Sequence, residues 1–564
     1  MRQTCSTTIS ILRNFYHRHF SSTTKKLPSI TKIIPYNHRS QAIQDAQEVL
    51  TDYFHNTRAL PFTYAEHISK NSKHSLYYLI SKLPFSSSGF RRTFQRFLRY
   101  NPINEFGFFY ESIGIDYVDI DEFLKPNLHF LDDDSVVLAA AFCLSGFGFP
   151  WGKLGRLYVE EVSIFSKNGG FLRGRLDGLV SLGFGNEQVV AVCLAFPCLL
   201  KGEEVEFGSD FDALLDDLKR VFVDFDLGTS VVGNVDGWFE VCRKIKFFYD
   251  LGVAEGVVGK LICKSKSTFI LSDYSEDVFV EKVEFFSRLG FEKSEVGVLI
   301  LSNPNILSIR LHDRVISVSS ILDHFGLPEE NLLSVKQNYS YVFGRNKMVN
   351  LPNILKAMDL HEWFFDRMKC GYHSLFANYD LSSPEDGVDE NYVQNLESVK
   401  SLRTRSYSFG KLNFFHRIGF GENSFTMKLL VDVHGSPSDL QDRFDFLLNE
   451  GVEYSKLCKI ISRVPKVLSQ EIDGLKKKLD FFVEEIGLPL DYLETFPAYL
   501  LYNLEKRIKP RFEFYVWLTE QGWCTKKYTL GSIIAVSHKS FVAQLSRMHP
   551  TAPQLWLEQN GNRK

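Results

Sequence analysis

Paired cysteines are missing from this chain. Its nine cysteines, Cys5, Cys143, Cys193, Cys198, Cys242, Cys263, Cys370, Cys458 and Cys524, include no C-x-x-C, and the closest two, Cys193 and Cys198, lie in an apolar stretch. An odd number at irregular spacing excludes a disulfide framework and a zinc ribbon, and leaves buried free thiols. Long apolar runs are missing too. The longest uncharged run, Ser135 to Gly152, is short and rich in glycine, so no membrane-spanning helix is expected. Catalytic motifs are absent as well: there is no G-x-x-x-x-G-K-[ST] phosphate loop and no H-E-x-x-H zinc motif. Gly183-Phe184-Gly185 lacks the rest of a dinucleotide fingerprint, and the fifteen histidines show no ligand spacing. Asp132-Asp133-Asp134 reads as the acidic start of a helix over the apolar run that follows, rather than as a metal site. No enzyme, cofactor or metal is therefore expected.

Acid is lacking where the chain begins. Residues 1–40 hold seven Lys and Arg and no Asp or Glu, with frequent Ser and Thr. A secretory signal would need a continuous apolar stretch, so this composition predicts an organellar transit peptide. Drawn as a helix, Ile9, Leu12, Tyr16 and Phe20 share one face, and Arg18-His19-Phe20-Ser21-Ser22 resembles a plant-type mitochondrial processing site with cleavage after Phe20. Import into the mitochondrial matrix is expected, with the chloroplast as the alternative. The net charge of −3 over 564 residues divides unevenly. Residues 41–394 carry 34 basic and 49 acidic side chains, a net of −15, whereas residues 395–564 carry 24 and 19, a net of +5. Phosphate contact needs local positive charge, so the C-terminal part is the better candidate for a polyanion.

What the chain does have is a repeat. Three times a glycine is followed 14 positions later by a proline in one local pattern: Gly183 and Pro197, Gly290 and Pro304, Gly451 and Pro465. Recurring units of this size predict a solenoid. In Glu276 to Leu307, Val280, Val283, Phe286 and Leu289 form an apolar helical face, and Gly290 ends that helix where a positive φ is cheap only for glycine. Ser294 is placed to cap a second helix through Val296, Leu299 and Ile300, and Pro304 stops it before a last short turn at Ile306 and Leu307. Candidate turn centres are Gly146, Gly183, Gly252, Gly290, Gly326, Gly419, Gly451 and Gly487. A degenerate unit is expected near Glu203–Asp226, another with its turn at Met358-Asp359-Leu360, and an exposed acidic loop over Tyr379 to Asn391.

The Leu-Gly-Phe turn and the Pro-x-Leu-Leu ending resemble the repeat of the mitochondrial transcription termination factor (mTERF) family. The most specific stretch runs from Leu479-Asp480-Phe481-Phe482 through Ile486-Gly487-Leu488-Pro489 and Phe496-Pro497-Ala498-Tyr499-Leu500 to Leu504-Glu505-Lys506-Arg507-Ile508-Lys509-Pro510-Arg511, and is similar to the terminal signature of the plant branch. The resemblance covers roughly residues 90–525. It implies an all-α superhelical solenoid of stacked triple-helical repeats, each two α-helices and a short 3₁₀ helix, forming a groove. It further implies organellar nucleic-acid binding in transcription termination or initiation, ribosome assembly or intron splicing, without catalysis. The resulting division is a transit peptide (1–40), a helical extension (41–90), acidic repeats (91–375), an acidic loop or insertion (376–400), basic repeats (401–525) and a tail (526–564).

Candidate phosphate contacts follow from the basic clusters near the signature. Lys506, Arg507, Lys509 and Arg511 straddle a junction between helices, where side chains can reach outward; the alternative is a solvated basic turn. Glu505 and Lys509 form an i,i+4 pair that absorbs some charge. Arg463 and Lys466 flank Pro465 at the end of a second helix. Lys476, Lys477 and Lys478 are consecutive, and because each helical step turns about 100°, one or two of them can touch phosphate while the others are solvated. Arg310 and Arg314 are a weaker upstream candidate. The expected partner is mitochondrial DNA or RNA, bound by a monomer. The acidic N-terminal half suggests a second reading: a scaffold docking nucleoid or ribosomal proteins without touching nucleic acid.

Overall fold

Glycine decides where each first helix ends. The computed structural model describes residues 34–560 apart from 88, 203, 225–234, 266–272, 373 and 402–403; the expected leader lies outside the described residues, except for its last few positions. Gly183, Gly290 and Gly451 take φ of +100°, +109° and +96°. That conformation turns the following amide back onto the helix: Phe291 N donates to Phe286 O at 3.2 Å and Val452 N to Leu447 O at 3.1 Å. The same bond forms after Gly252, Gly326 and Gly419. Asp359 stands in for glycine with φ +58°, and Leu360 N donates to Leu355 O at 2.9 Å, so the turn expected at Met358-Asp359-Leu360 is present.

Proline then starts the closing element. Short 3₁₀ helices begin at Pro197, Pro304, Pro465 and Pro497. The residue before each proline is forced out of the helical region, with φ/ψ near −124/72 at Phe196, −137/69 at Asn303, −138/68 at Val464 and −131/64 at Phe496. The described chain is accordingly all-α apart from one two-stranded antiparallel ribbon, β1 (Val315–Ser317) with β2 (Arg345–Lys347).

The chain forms two compact units, residues 1–274 and 275–564. In the first, α1 (Arg39–Arg58) packs on α2 (Phe90–Tyr100), with Phe54, Phe90, Phe94 and Leu98 buried. Asp134 caps the helix Ser135–Phe147, as the acidic run requires. Further along come α3 (Gly169–Ser181), α4 (Asn186–Ala195) and α5 (Val235–Asp250). In the second unit α6 (Glu276–Arg288) and α7 (Lys293–Ser302) form the unit read from sequence. Around Phe376 the rings of Phe285, Phe286, Phe325 and Phe364 gather with centroids 5.7, 5.8, 5.1 and 5.7 Å away. This is one destination of the chain's 50 phenylalanines.

Several expectations are corrected. The turn lies at Gly148 (φ +129°), not Gly146, which is inside a helix. The buried face of α6 holds Phe279, Val283 and Phe286, while Val280 is exposed, so the helix is rotated from the face assigned to it. Glu292 rather than Ser294 caps α7, its amide donating to the Glu295 carboxylate at 3.1 Å. Tyr379 is not in an exposed loop: it is buried, and its hydroxyl accepts from Ser317 N at 3.1 Å. Arg345 holds the acidic segment after it through the Asp386 and Pro384 carbonyls. Residues expected as a tail contain helices Leu530–Ile534, His538–Met548 and Ala552–Asn560.

A second regularity accompanies the turn glycine. Eight residues before Gly183, Gly252, Gly290, Gly419 and Gly451 stand Arg175, Lys244, Lys282, Lys411 and Arg443. Arg175, Lys244, Lys282 and Lys411 are buried. Arg175 donates to Lys201 O and Lys282 to Ile309 O, each just past the 3₁₀ helix that ends its own repeat. In α8 (Arg405–Arg417) Lys411 Nζ reaches Val433 O at 2.7 Å, and in α9 (Pro437–Asn449) Arg443 Nη1 reaches Leu468 O at 3.1 Å. The first helix of a repeat is thereby clasped to its last element. The carbonyls at a helix end lack partners and carry partial negative charge, so a buried cation satisfies both. Burial pushes the Lys282 and Lys411 ammonium groups below the usual lysine range, yet each bond from a charged donor contributes about 1.5–3 kcal/mol.

Two measurements check this account. Gly451→Ala meets only Leu490 Cδ1 at 3.7 Å, so its cost comes from the positive φ and is expected to be about 1–2 kcal/mol in urea unfolding. His416 supplies a pH test. Its Nδ1–H donates to Phe420 O at 2.9 Å and its Nε2 accepts from the Tyr392 hydroxyl at 3.0 Å, and burial pushes its pKa down to about 4. The unfolded imidazole takes its proton near pH 6.5, the folded one only near 4, so stability is full above 6.5 and falls as the pH drops between these values. On the order of 3 kcal/mol is lost across that window, and His416→Gln should flatten the profile by that amount.

Candidate nucleic-acid interface

Lysine and arginine in the last repeats divide into those the fold uses and those it leaves outside. α10 (Tyr454–Arg463) ends at Arg463, whose Nη1 donates to Glu494 O at 2.7 Å, tying one repeat to the next while the side chain stays exposed. Lys466, second in the 3₁₀ helix Pro465–Ser469, is exposed and forms no hydrogen bond or ion pair among the described residues. That 3₁₀ helix touches the next one, Pro497–Leu501, so the closing elements of successive repeats are neighbours.

In α11 (Ile472–Asp480) three consecutive lysines meet different fates. Lys476 and Lys477 are exposed; Lys478 is buried, and its Nζ donates to Leu500 O at 2.6 Å and to Gln470 Oε1 at 3.3 Å. Lys478 is the clasp of this repeat. It stands nine rather than eight residues before its turn glycine, Gly487, and the π-helical turn Phe481–Glu485 absorbs the extra residue. Burial lowers its pKa as it does for Lys282.

The Lys506–Arg511 cluster is split in the same way. Lys506 is exposed in the π-helical turn Leu504–Ile508. Lys509, first in α12 (Lys509–Glu520), pairs with Glu505 at 2.7 Å as expected from sequence. Arg511 is corrected: it does not reach outward but is buried, with Nη1 donating to Ile533, Ile534 and Val536 carbonyls at 3.1, 3.1 and 2.7 Å. Burial first, then the neighbouring Arg507, pushes its pKa down to about 10. Arg507 is half-buried and donates to Ile534, Ala535 and Val536 carbonyls at 2.8, 2.9 and 2.9 Å, its guanidinium lying 4.2 Å from the Tyr502 ring centre. Both arginines cap α13 (Leu530–Ile534) and fasten the final helices, which sequence had placed in a tail. The upstream candidate Arg314 is likewise engaged, by the Phe376 and Tyr379 carbonyls.

Lys466, Lys476, Lys477 and Lys506 thus remain as exposed cations whose side chains make no hydrogen bond or ion pair among the described residues, with Arg463 in the same repeats. Sequence reading did not single out Lys526, Lys527, Lys539 and Arg547, which are also exposed in this part. Residues 501–564 hold ten basic and four acidic side chains, a signal that was present in the composition. Among the described residues, no group of three His, Cys, Asp or Glu is arranged to hold a metal ion. No single helix there is long and apolar enough to cross a membrane.

Glycine-ended and proline-closed helix pairs, with a basic C-terminal surface, define an all-α helical-repeat protein. The chain belongs to the mTERF family: the family model matches residues 239–363 and 413–542. It is 46% identical over 531 residues, 94% of this chain and 95% of the relative, to the mitochondrial transcription termination factor MTEF18 of Arabidopsis thaliana. It is 27% identical over 292 residues to the mitochondrial MTERF15 of the same plant, 51% of this chain and 59% of that one. The chloroplastic MTERF8 of Arabidopsis is 22% identical over 251 residues, 43% of this chain and 45% of the relative.

The division of labour is testable by unfolding. Arg511→Ala takes the guanidinium from the Ile533 carbonyl, leaves the Ile534 and Val536 carbonyls with Arg507 alone, and empties a buried site, and is expected to cost about 2–4 kcal/mol. Lys466→Ala and Lys476→Ala, on exposed side chains, are expected to stay within about 0.5 kcal/mol of the unaltered chain.

Proposed function

We propose that this mitochondrial regulator of organellar gene expression works by binding nucleic acid, with the exposed lysines of its last repeats on the phosphate backbone. The observation that carries the reading is the 46% identity, along nearly the whole of both chains, to a protein named a mitochondrial transcription termination factor. The acid-free first forty residues agree with import into mitochondria. Lys466, Lys476, Lys477 and Lys506 are the phosphate contacts, with Arg463 assisting; Arg507, Lys509 and Arg511 support the surface rather than touch the ligand. These lysines position the strand, and sequence choice comes from other groups. The protein acts by occupying nucleic acid, not by catalysis.

The scaffold reading keeps one observation in its favour, the net −15 of residues 41–394. It predicts no direct affinity for a polyanion. Fluorescence anisotropy of the purified chain with mitochondrial duplex DNA and RNA fragments, across a salt series, separates the two. Binding should weaken with salt, and Lys466→Gln, Lys476→Gln, Lys477→Gln and Lys506→Gln together should reduce the log–log slope by about 3 and the affinity at least tenfold. An unaltered chain without affinity at low salt would leave only the scaffold.

A further inference from the structure

Within the first unit, residues 41–274 are net acidic, and one stretch breaks that pattern. Residues 41–274 hold 23 basic and 31 acidic side chains, yet from His67 to Asn104 there are seven Lys and Arg and no Asp or Glu. Four of the seven are arginines on α2: Arg91, Arg92, Arg96 and Arg99. Arg91 is accounted for, paired with Glu48 and Asp52 of α1. The other three are exposed, and none has a hydrogen bond, ion pair or aromatic contact among the described residues.

Their spacing places them together. At about 100° per residue, positions 92, 96 and 99 fall within an arc of roughly 60°. The opposite side of α2 is its apolar face, where Phe90, Phe94 and Leu98 are buried against the rest of the unit. The stripe therefore points away from the fold, and at 1.5 Å per residue it runs for about 10 Å. Tyr100, 69% exposed, stands at its edge at the C-terminal end of the helix. Asp45, Glu48 and Asp52 of α1 act on Arg91, and no acid among the described residues pairs with Arg92, Arg96 or Arg99.

We infer that α2 is a separate binding surface for single-stranded nucleic acid, with Arg92, Arg96 and Arg99 on successive phosphates and Tyr100 stacked on an unpaired base. Guanidinium groups grip phosphate oxygens in pairs, and an exposed ring beside a row of cations is how single strands are held without sequence preference. A lipid surface fits worse. A helix that lies on a membrane inserts its apolar face, and the apolar face of α2 is spent on the core. Solubility alone does not call for the stripe, because the unit is already strongly charged. The site lies outside residues 239–363 and 413–542, where the family model matches. It rests on the reading of the protein as a nucleic-acid binder but not on the C-terminal lysines.

The test uses the full chain and a fluorescent 12-nucleotide oligouridylate, with duplex DNA, anionic phosphatidylserine vesicles and polyglutamate as further probes. The triple variant Arg92→Gln, Arg96→Gln, Arg99→Gln should keep the urea midpoint, since these side chains hold nothing in place. It should lose about tenfold in oligouridylate affinity, with the salt slope reduced by about 2. Arg→Lys at the three positions should restore most of the slope, and Tyr100→Ala should weaken binding about fivefold with the slope unchanged. Unchanged affinity and slope in the triple variant overturn the inference, as does loss of vesicle or polyglutamate binding without loss of oligouridylate binding. If the triple variant is silent while the C-terminal lysine variant still weakens binding, only this inference falls. An unaltered chain that binds neither RNA nor DNA removes both readings.

Discussion

A cation reaching from the first helix of a repeat to the carbonyls at the repeat's far end is the interaction on which the rest depends, and five repeats show it. A pair of helices joined by a glycine turn has no reason by itself to hold its third, 3₁₀, element in a fixed place. Arg175, Lys282, Arg443 and Lys478 supply that reason by reaching from the first helix to carbonyls in or just past the 3₁₀ helix, and Lys411 reaches the carbonyl just past the second α-helix of its pair. Arg511 does the same at the C-terminal end from a different position on its helix. Desolvating a charge is expensive, and a carbonyl left without a donor is expensive too. Each cost is offset only when the two meet, so the bond selects one arrangement of the three elements. Apolar packing of the kind seen around Phe376 contributes more energy but less direction.

This use of cations reshapes the meaning of net charge. Positive charge in the C-terminal repeats looks like a single ligand-binding resource when summed along the chain. In the fold it is divided: Lys478 and Arg511 are buried and bonded to carbonyls, Arg507 is half-buried, and Lys466, Lys476, Lys477 and Lys506 face solvent. A phosphate backbone can meet only the last group. The first unit shows the converse. Its residues 41–274 carry 23 basic and 31 acidic side chains, yet α2 presents three uncompensated arginines in one arc. Electrostatic contact is decided over a Debye length of about 8–10 Å, not over a domain.

Much of the fold was legible because single residues carry it. Gly290 and Gly451 mark turns since only glycine takes their φ without strain, and Pro304 and Pro465 mark the closing elements since proline bars the preceding residue from the helix. The turn at Asp359 was found from the repeat interval rather than from glycine. Less legible was rotation about a helix axis: α6 buries Phe279 and exposes Val280, and apolar residues on adjacent positions give no local preference between the two. The last helices were missed because Leu530–Ile534 is short, and arginines 22 to 29 residues earlier hold its end.

The sequence by itself determined the repeat, its turn and stop residues, the lack of acid in the first forty residues and the family, because each is written in local residue choice or in long stretches of identity. Which cations are free for a ligand was decided only in three dimensions. Lys476, Lys477 and Lys478 are chemically the same and adjacent. A turn of about 100° per residue and one carbonyl at Leu500 make the third a structural bond and leave the other two in water.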